Sequence, residues 1–279
     1  KTYEFRSEPA VLPAFRDAGF DLVNLANNHT LDFGPQGLRD TIKHLEEHDI
    51  RHVGAGESAD EAFAPEYFEV NGLRIAVLGF SRVIPEGSWK AGKASLGLAD
   101  TYDYRRPVEE IAKAAEQADL VVVIVHWGEE GKEEPHQEKQ VDLGRRFIDA
   151  GADLVAGSHP HVLQGFERYK DGWIAYSLGN FIFTKSKNTL TYDTGILEAT
   201  CGKDGCDLEI ALYRADTPQP RPMDEEREKE LLRKLSGLSY GAEVRDDGKI
   251  VPAAKVPAQK AQAQEAQTQE AQAQKEEQG

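Results

Sequence analysis

The sequence predicts an α/β fold with mixed sheets, and three features carry that prediction. Helical and strand periods alternate from the start to about residue 160, one strand at 120–125 is apolar without a break, and from residue 163 onward the chain turns to successive hairpins. The first half therefore reads as crossover units and the second as mostly antiparallel.

Residues 10–18 are predicted helical, with Pro13 near the start and Gly19 as the stop, feeding a strand at 22–26. Pro35 suits the first position of a helix running to about 48, whose Leu38, Ile42 and Leu45 recur at helical spacing. Strands at 67–70 and 73–80 flank Asn71-Gly72, a pair that favours a tight hairpin. The stretch 81–103 has no period, is rich in Gly, Ser and Lys, and contains Trp89, so it reads as a long lid or binding loop. A helix at 107–118 precedes the strand 120–125, whose apolar run demands cover on both faces. A helix at 137–150 and a strand at 153–156 follow. Hairpin strands are expected at 163–169, 173–177, 194–200 and 207–213, and a charged helix at 223–235. One domain is drawn at 1–240. Residues 241–279 are drawn as a polar Ala/Gln/Glu-rich tail, disordered because it has too little apolar surface to offset its ordering entropy.

Lys+Arg 33 against Asp+Glu 49 leaves a net charge of −16, which repels polyanions, so no nucleic-acid partner is expected. An anionic substrate would need local metal charge to hold it. No apolar run reaches the roughly 18 residues of a membrane span. Cys201 and Cys206 flank Gly202-Lys203-Asp204-Gly205 across a hairpin, and a disulfide and a pair of free thiols both stay open.

The chemistry sits where one short pattern repeats. Asp21-Leu22-Val23 leads to Asn28-His29, Asp119-Leu120-Val121 to His126, and Asp153-Leu154-Val155 to His159-Pro160-His161. Ligands of open α/β sheets bind beyond the carboxyl ends of the strands, so three such ends bearing Asn or His point to one metal site built from three loops. In that site Asn28 would be a neutral oxygen ligand, with His29 handling a proton and Asp32 orienting it; the alternative is that Asn27 and Asn28 only shape a turn and Asp32 caps the helix before Pro35. Asn180, in Gly179-Asn180 between two strands, is a candidate substrate contact. His44, His48, His52 and His136 read as solvated, and Glu129, Glu130, Glu133 and Glu134 as a solvated acidic loop.

Four ordered motifs carry a family resemblance: Ala26-Asn27-Asn28-His29 with Asp32-Phe33-Gly34, His126-Trp127-Gly128, Gly157-Ser158-His159-Pro160-His161-Val162, and Ser177-Leu178-Gly179-Asn180-Phe181. Over about residues 5–212 the chain resembles the CapA-type poly-γ-glutamate capsule biosynthesis proteins, a branch of the calcineurin-like metallophosphoesterases. The resemblance implies a four-layer α/β/β/α sandwich with a two-metal centre. Asn28, His126 and His159 would hold one divalent ion (manganese, iron or zinc) and His161 the other, with His29 and Asp32 catalytic and Trp127 beside Asn180 meeting substrate. The family usually opens with a strand ending in Gly-Asp and a segment carrying Asn-Leu-Glu, and neither precedes Lys1. The expected sandwich is thus short of its first strands and of the second metal's acidic ligands.

The leading expectation is a capsule biosynthesis or export protein with a metal-dependent, phosphoesterase-like centre acting on an anionic polymer or a phosphoester. The alternatives are a non-catalytic component assembled with membrane-bound polyglutamate synthase proteins, and a general phosphoester hydrolase. The resemblance and the cysteine pair place it outside the cytoplasm, at the cell surface or membrane-associated.

Overall fold

The computed structural model describes residues 3–183, 188–217 and 219–254, and the fold is α/β with mixed sheets. Near the start, α1 (Leu12–Asp17), β1 (Leu22–Asn24), α2 (Gly34–Glu47) and β2 (Arg51–Val53) form a small unit in which β1 and β2 pair in parallel. Pro35 lies in the first turn of α2, where no N–H partner is needed. Leu38 and Leu45 point into a core shared with Leu25, Leu31, Ile50 and Leu98. The short strand β2 is invisible in sequence because Arg51-His52-Val53 has no alternation, and only its partner defines it.

β3 (Ala55–Gly56) and α3 (Ala59–Ala62) lead to β4 (Glu66–Val70) and β5 (Leu73–Ser81). These last two make the expected hairpin, with Asn71 at φ 51° and Gly72 at φ 79°, as a type I′ turn requires. The loop after β5 is not structureless. Its β6 (Gly97–Leu98) pairs with β3, and Trp89 packs on the core beside α2.

α4 (Arg105–Ala115), β7 (Leu120–His126), α5 (Asp142–Asp149), β8 (Leu154–Ser158), β9 (Phe166–Tyr169) and β10 (Gly172–Ala175) complete a six-stranded mixed sheet, ordered β4-β5-β7-β8-β10-β9. Its four central strands are parallel and its two edge strands antiparallel. The repeated aspartate has a structural use here. Asp119 Oδ2 accepts from Arg74 N at 2.9 Å and Asp153 Oδ2 from Val121 N at 2.8 Å, so each binds the leading N–H of its neighbour strand. That register puts Ser81, His126 and Ser158 side by side at the carboxyl ends of β5, β7 and β8.

Helices α4 and α5 cover one face of the sheet, packing Ile111, Leu143 and Phe147 on Phe80, Val121, Val123 and Val125. The segment predicted as one helix at 137–150 splits into a π turn, Gln137–Val141, and α5. The wide turn lets the adjacent Gln140 and Val141 both be buried.

The other face meets a second, antiparallel sheet built on β11 (Asp193–Gly202) and β12 (Gly205–Arg214), with β13 (Arg221–Pro222) paired to β12. Cover on this side is partial, since Val122 and Ile124 of β7 are only half-buried. α6 (Glu225–Leu238) buries Leu231, Leu232 and Leu235 in the core between the sheets. The boundary drawn at residue 240 needs correction, because β14 (Ala242–Val244) and β15 (Lys249–Pro252) belong to the second sheet and bury Val244 and Ile250. Two short strands among charged residues leave no period to read. The rest of the predicted tail, beyond residue 254, lies outside the described residues. Cys201 and Cys206 form a disulfide across the β11–β12 turn, which settles the choice left open by the sequence. No helix among the described residues is long and apolar enough to cross a membrane.

Candidate metal centre

The carboxyl ends of β7 and β8 bring the predicted residues together. His126 ends β7, with Nδ1 3.1 Å from Ser158 Oγ and Nε2 2.9 Å from Asn28 Oδ1. Asn28 arrives on the loop after β1. Asn24 ties that strand to the sheet by donating from Nδ2 to Ile124 O at 3.3 Å. The His126 and His159 rings lie 4.7 Å apart between centroids, and His159 and His161 5.9 Å. Both residues of the His-Pro-His turn have positive φ, 96° at His159 and 60° at His161. Such backbone costs on the order of 1–3 kcal/mol per residue and persists where surrounding structure holds it, commonly at functional sites. The turn needs Gly157, because a Cβ there would lie 2.2 Å from Tyr176 O and 2.3 Å from Trp127 Nε1.

Burial, more than neighbouring charge, keeps the His126 and His159 imidazoles neutral. Burial first, then His159, His161 and His29, hold His126 well below the usual histidine range. His159 is pushed down to about 4, by burial first and then by His161 and His29. Neutral imidazoles are acceptors with lone pairs to share, and His159 Nδ1 is buried without a hydrogen-bond partner among the described residues. An orphaned buried nitrogen beside two further imidazoles is the donor set a borderline divalent cation takes. The fit is good.

Glu130 is exposed, as a solvated acidic loop would leave it, yet its carboxylate lies against the histidines. One carboxylate oxygen of Glu130 and one ring nitrogen each of His159 and His161 all lie within 4.8 Å of one another. Its neighbours are engaged elsewhere: Glu129 pairs with Lys139 at 2.8 Å, and Glu133 with Lys234. The acidic run in the sequence hides which of its members faces the histidines.

His29 and Asp32 form the expected dyad. Asp32 Oδ2 is 2.7 Å from His29 Nδ1 and accepts from Phe5 N at 2.9 Å, while the carboxylate is almost wholly buried. That contact orients the ring. Phe5 packs edge-on against His29 at 4.5 Å, and Phe183 lies 5.0 Å from His161, two aromatic neighbours with no signal in the sequence. Two expectations change. Trp127 does not face a ligand: it is fully buried in the main core and donates from Nε1 to Tyr176 O at 2.9 Å. Asn180 instead holds His161, its Oδ1 2.7 Å from Nδ1, and donates from Nδ2 to Thr191 O at 3.4 Å.

The family model of the bacterial capsule synthesis protein PGA_cap matches residues 1–185, which include every residue of this cluster. The chain belongs to that family. This PGA_cap member is 37% identical over 228 residues to the capsule biosynthesis protein CapA of Bacillus anthracis, covering 80% of the chain and 54% of that relative. It is 35% identical over 255 residues to the PGA biosynthesis protein CapA of Bacillus subtilis (strain 168), covering 90% of the chain and 66% of that relative. The chain thus spans between about half and two thirds of the length of these relatives. Among solved structures it is similar to the sulfate thiohydrolase SoxB of Thermus thermophilus, with a TM-score of 0.49 and 18% identity over 82% of this chain and 39% of that one.

Proposed function

We propose that this family member acts in capsular poly-γ-glutamate biosynthesis or export through a metal-dependent hydrolytic centre of the metallophosphoesterase type. The observation that carries the reading is the run of contacts from Asn28 to His126, His126 to His159 and His159 to His161, with His159 Nδ1 buried and without a hydrogen-bond partner among the described residues. The relatives named above support the capsule part, and the donor set supports the metal part. Asn28 Oδ1, His126 and His159 would hold one cation, and Glu130 with His161 would extend the centre. Manganese, iron and zinc all suit these ligands. When bound, such a cation polarises an attacked oxygen and makes hydroxide available near neutral pH.

The remaining chemistry belongs to the chain's own residues. His29 would pass a proton from Nε2 to a leaving oxygen, and the buried Asp32 carboxylate fixes the ring. Asn180 fixes His161 in the same manner. The anionic substrate is a phosphoester or a polymer linkage. The Cys201–Cys206 disulfide supports an oxidising, extracytoplasmic location at the cell envelope.

A second reading has its own support. The polyglutamine synthesis accessory protein of Mycobacterium tuberculosis (strain ATCC 25618 / H37Rv), described as probable, is 31% identical over 188 residues, covering 64% of this chain and 49% of that protein. It favours a non-catalytic partner of membrane-bound synthase components. One experiment separates the two: elemental analysis of the purified chain together with a chromogenic phosphodiester assay, with and without added manganese. Metal-dependent turnover lost in His159→Ala supports the hydrolase. Bound metal without turnover supports the accessory role, and no metal at all sinks the centre.

A further inference from the structure

The loop that carries Glu130 is held by two side chains that the chemistry above does not use. Gln140 and Gln164 are fully buried, an unusual place for amides. Gln140 Oε1 accepts from His136 N at 2.9 Å, and its Nε2 donates to Gln164 Oε1 at 2.6 Å. Gln164 Nε2 in turn donates to Lys132 O at 2.8 Å and to Glu134 O at 3.3 Å. The chain of bonds runs from the π turn to the far side of the 128–136 loop. At the near side Gly131 N donates to Pro160 O at 2.8 Å, fastening the loop to the His-Pro-His turn itself. Gly128, at φ +85°, passes so close that a Cβ would lie 2.4 Å from Gln140 Oε1. Glu130 directly precedes the Gly131 fastening, so the bonds at 131, 132 and 134 anchor the loop just past it.

An apolar pair would fill the same volume without the desolvation cost of two amides. The amides must therefore be doing something that packing alone does not. The π turn supplies the means, since its extra residue aims Gln140 inward beside Val141, and such turns are frequent at functional sites.

We propose that the Gln140–Gln164 pair is a positioning device that presets Glu130 against His159 and His161 before any cation arrives. The inference rests on the metal-centre reading above. It makes Gln164 a positioning residue: it touches no ligand and acts through the carbonyls of Lys132 and Glu134.

The test uses cobalt(II) as probe, with affinity read from its visible absorption on titration into the metal-free chain. Gln164→Met keeps the shape and removes both N–H donors, and it should weaken cobalt binding about 10–100-fold, as loss of outer-shell partners does. In a Glu130→Gln background the same substitution should cause little further loss, because the carboxylate it positions is already gone. An equal loss in both backgrounds assigns the pair a merely structural role and overturns the proposal, as does no loss in either. A wild-type chain that takes up no cobalt overturns the metal reading instead, a distinct outcome. Gln140→Met breaks the chain one link earlier and is read in the same way should Gln164→Met fail to fold. Hydrogen exchange of the wild-type, metal-free chain needs no variant: a protected Gly131 amide supports the preset loop, and exchange at the rate of an open loop contradicts it.

Discussion

Replacing His159 with glutamine should flatten the acid limb of the stability curve of the metal-free protein. The buried imidazole titrates at about 4, against 6.5 for an ordinary histidine, because burial and then His161 and His29 disfavour its charged form. The folded-state value lies below the unfolded one. The stabilising contribution is therefore complete above about pH 6.5 and is lost as the pH falls toward about 4. A gap of about 2.5 pH units corresponds to about 3 kcal/mol across the window, of which about 2 kcal/mol has gone by about pH 5. His126 is driven the same way by burial, so a smaller slope persists in the variant. The assay is urea unfolding in chelator at about pH 7 and about pH 5, comparing wild type with His159→Gln. Wild type should lose about 2 kcal/mol more than the variant between the two. Equal losses would refute the idea that folding buries a neutral His159 imidazole.

Asp32→Asn should lower turnover about a hundredfold while leaving metal content unchanged, since it disturbs the His29 dyad and not the ligands; loss of metal on elemental analysis would contradict that division. Asn180→Ala should weaken divalent-cation affinity about tenfold by freeing His161, read by titration. Trp127→Ala should destabilise the fold by about 3–5 kcal/mol in urea unfolding, because the ring is wholly inside the core; a near-neutral result would return Trp127 to the ligand surface. Cys201→Ser should cost at most about 2 kcal/mol, in line with the small loop that the disulfide closes across the β11–β12 turn.

The site was more legible in the sequence than the fold around it. Asp-Leu-Val followed by Asn or His marks strand ends directly, because a buried parallel strand is continuous and apolar and its polar exit is abrupt. That grammar places Asn28, His126, His159 and His161, which the structure brings into successive contact. Elements defined by distant partners were not legible. β2 and β6 are two or three residues long and exist only through pairing with β1 and β3, and β14 and β15 sit in charged sequence. Glu130 was hidden among equivalent glutamates, and only the positions of Lys139 and Lys234 separate it from Glu129 and Glu133. Trp127 misled because adjacency to His126 in the chain is opposition on a strand end: the histidine faces Asn28 and His159 and the indole the core.

The central claim is that the cluster at the ends of β7 and β8 takes a divalent cation. Anomalous diffraction from crystals grown with manganese tests it most directly. The account predicts a manganese peak within coordination distance of the His126 and His159 imidazoles and the Asn28 side-chain oxygen. Saturating manganese that gives no peak at those three residues would contradict it.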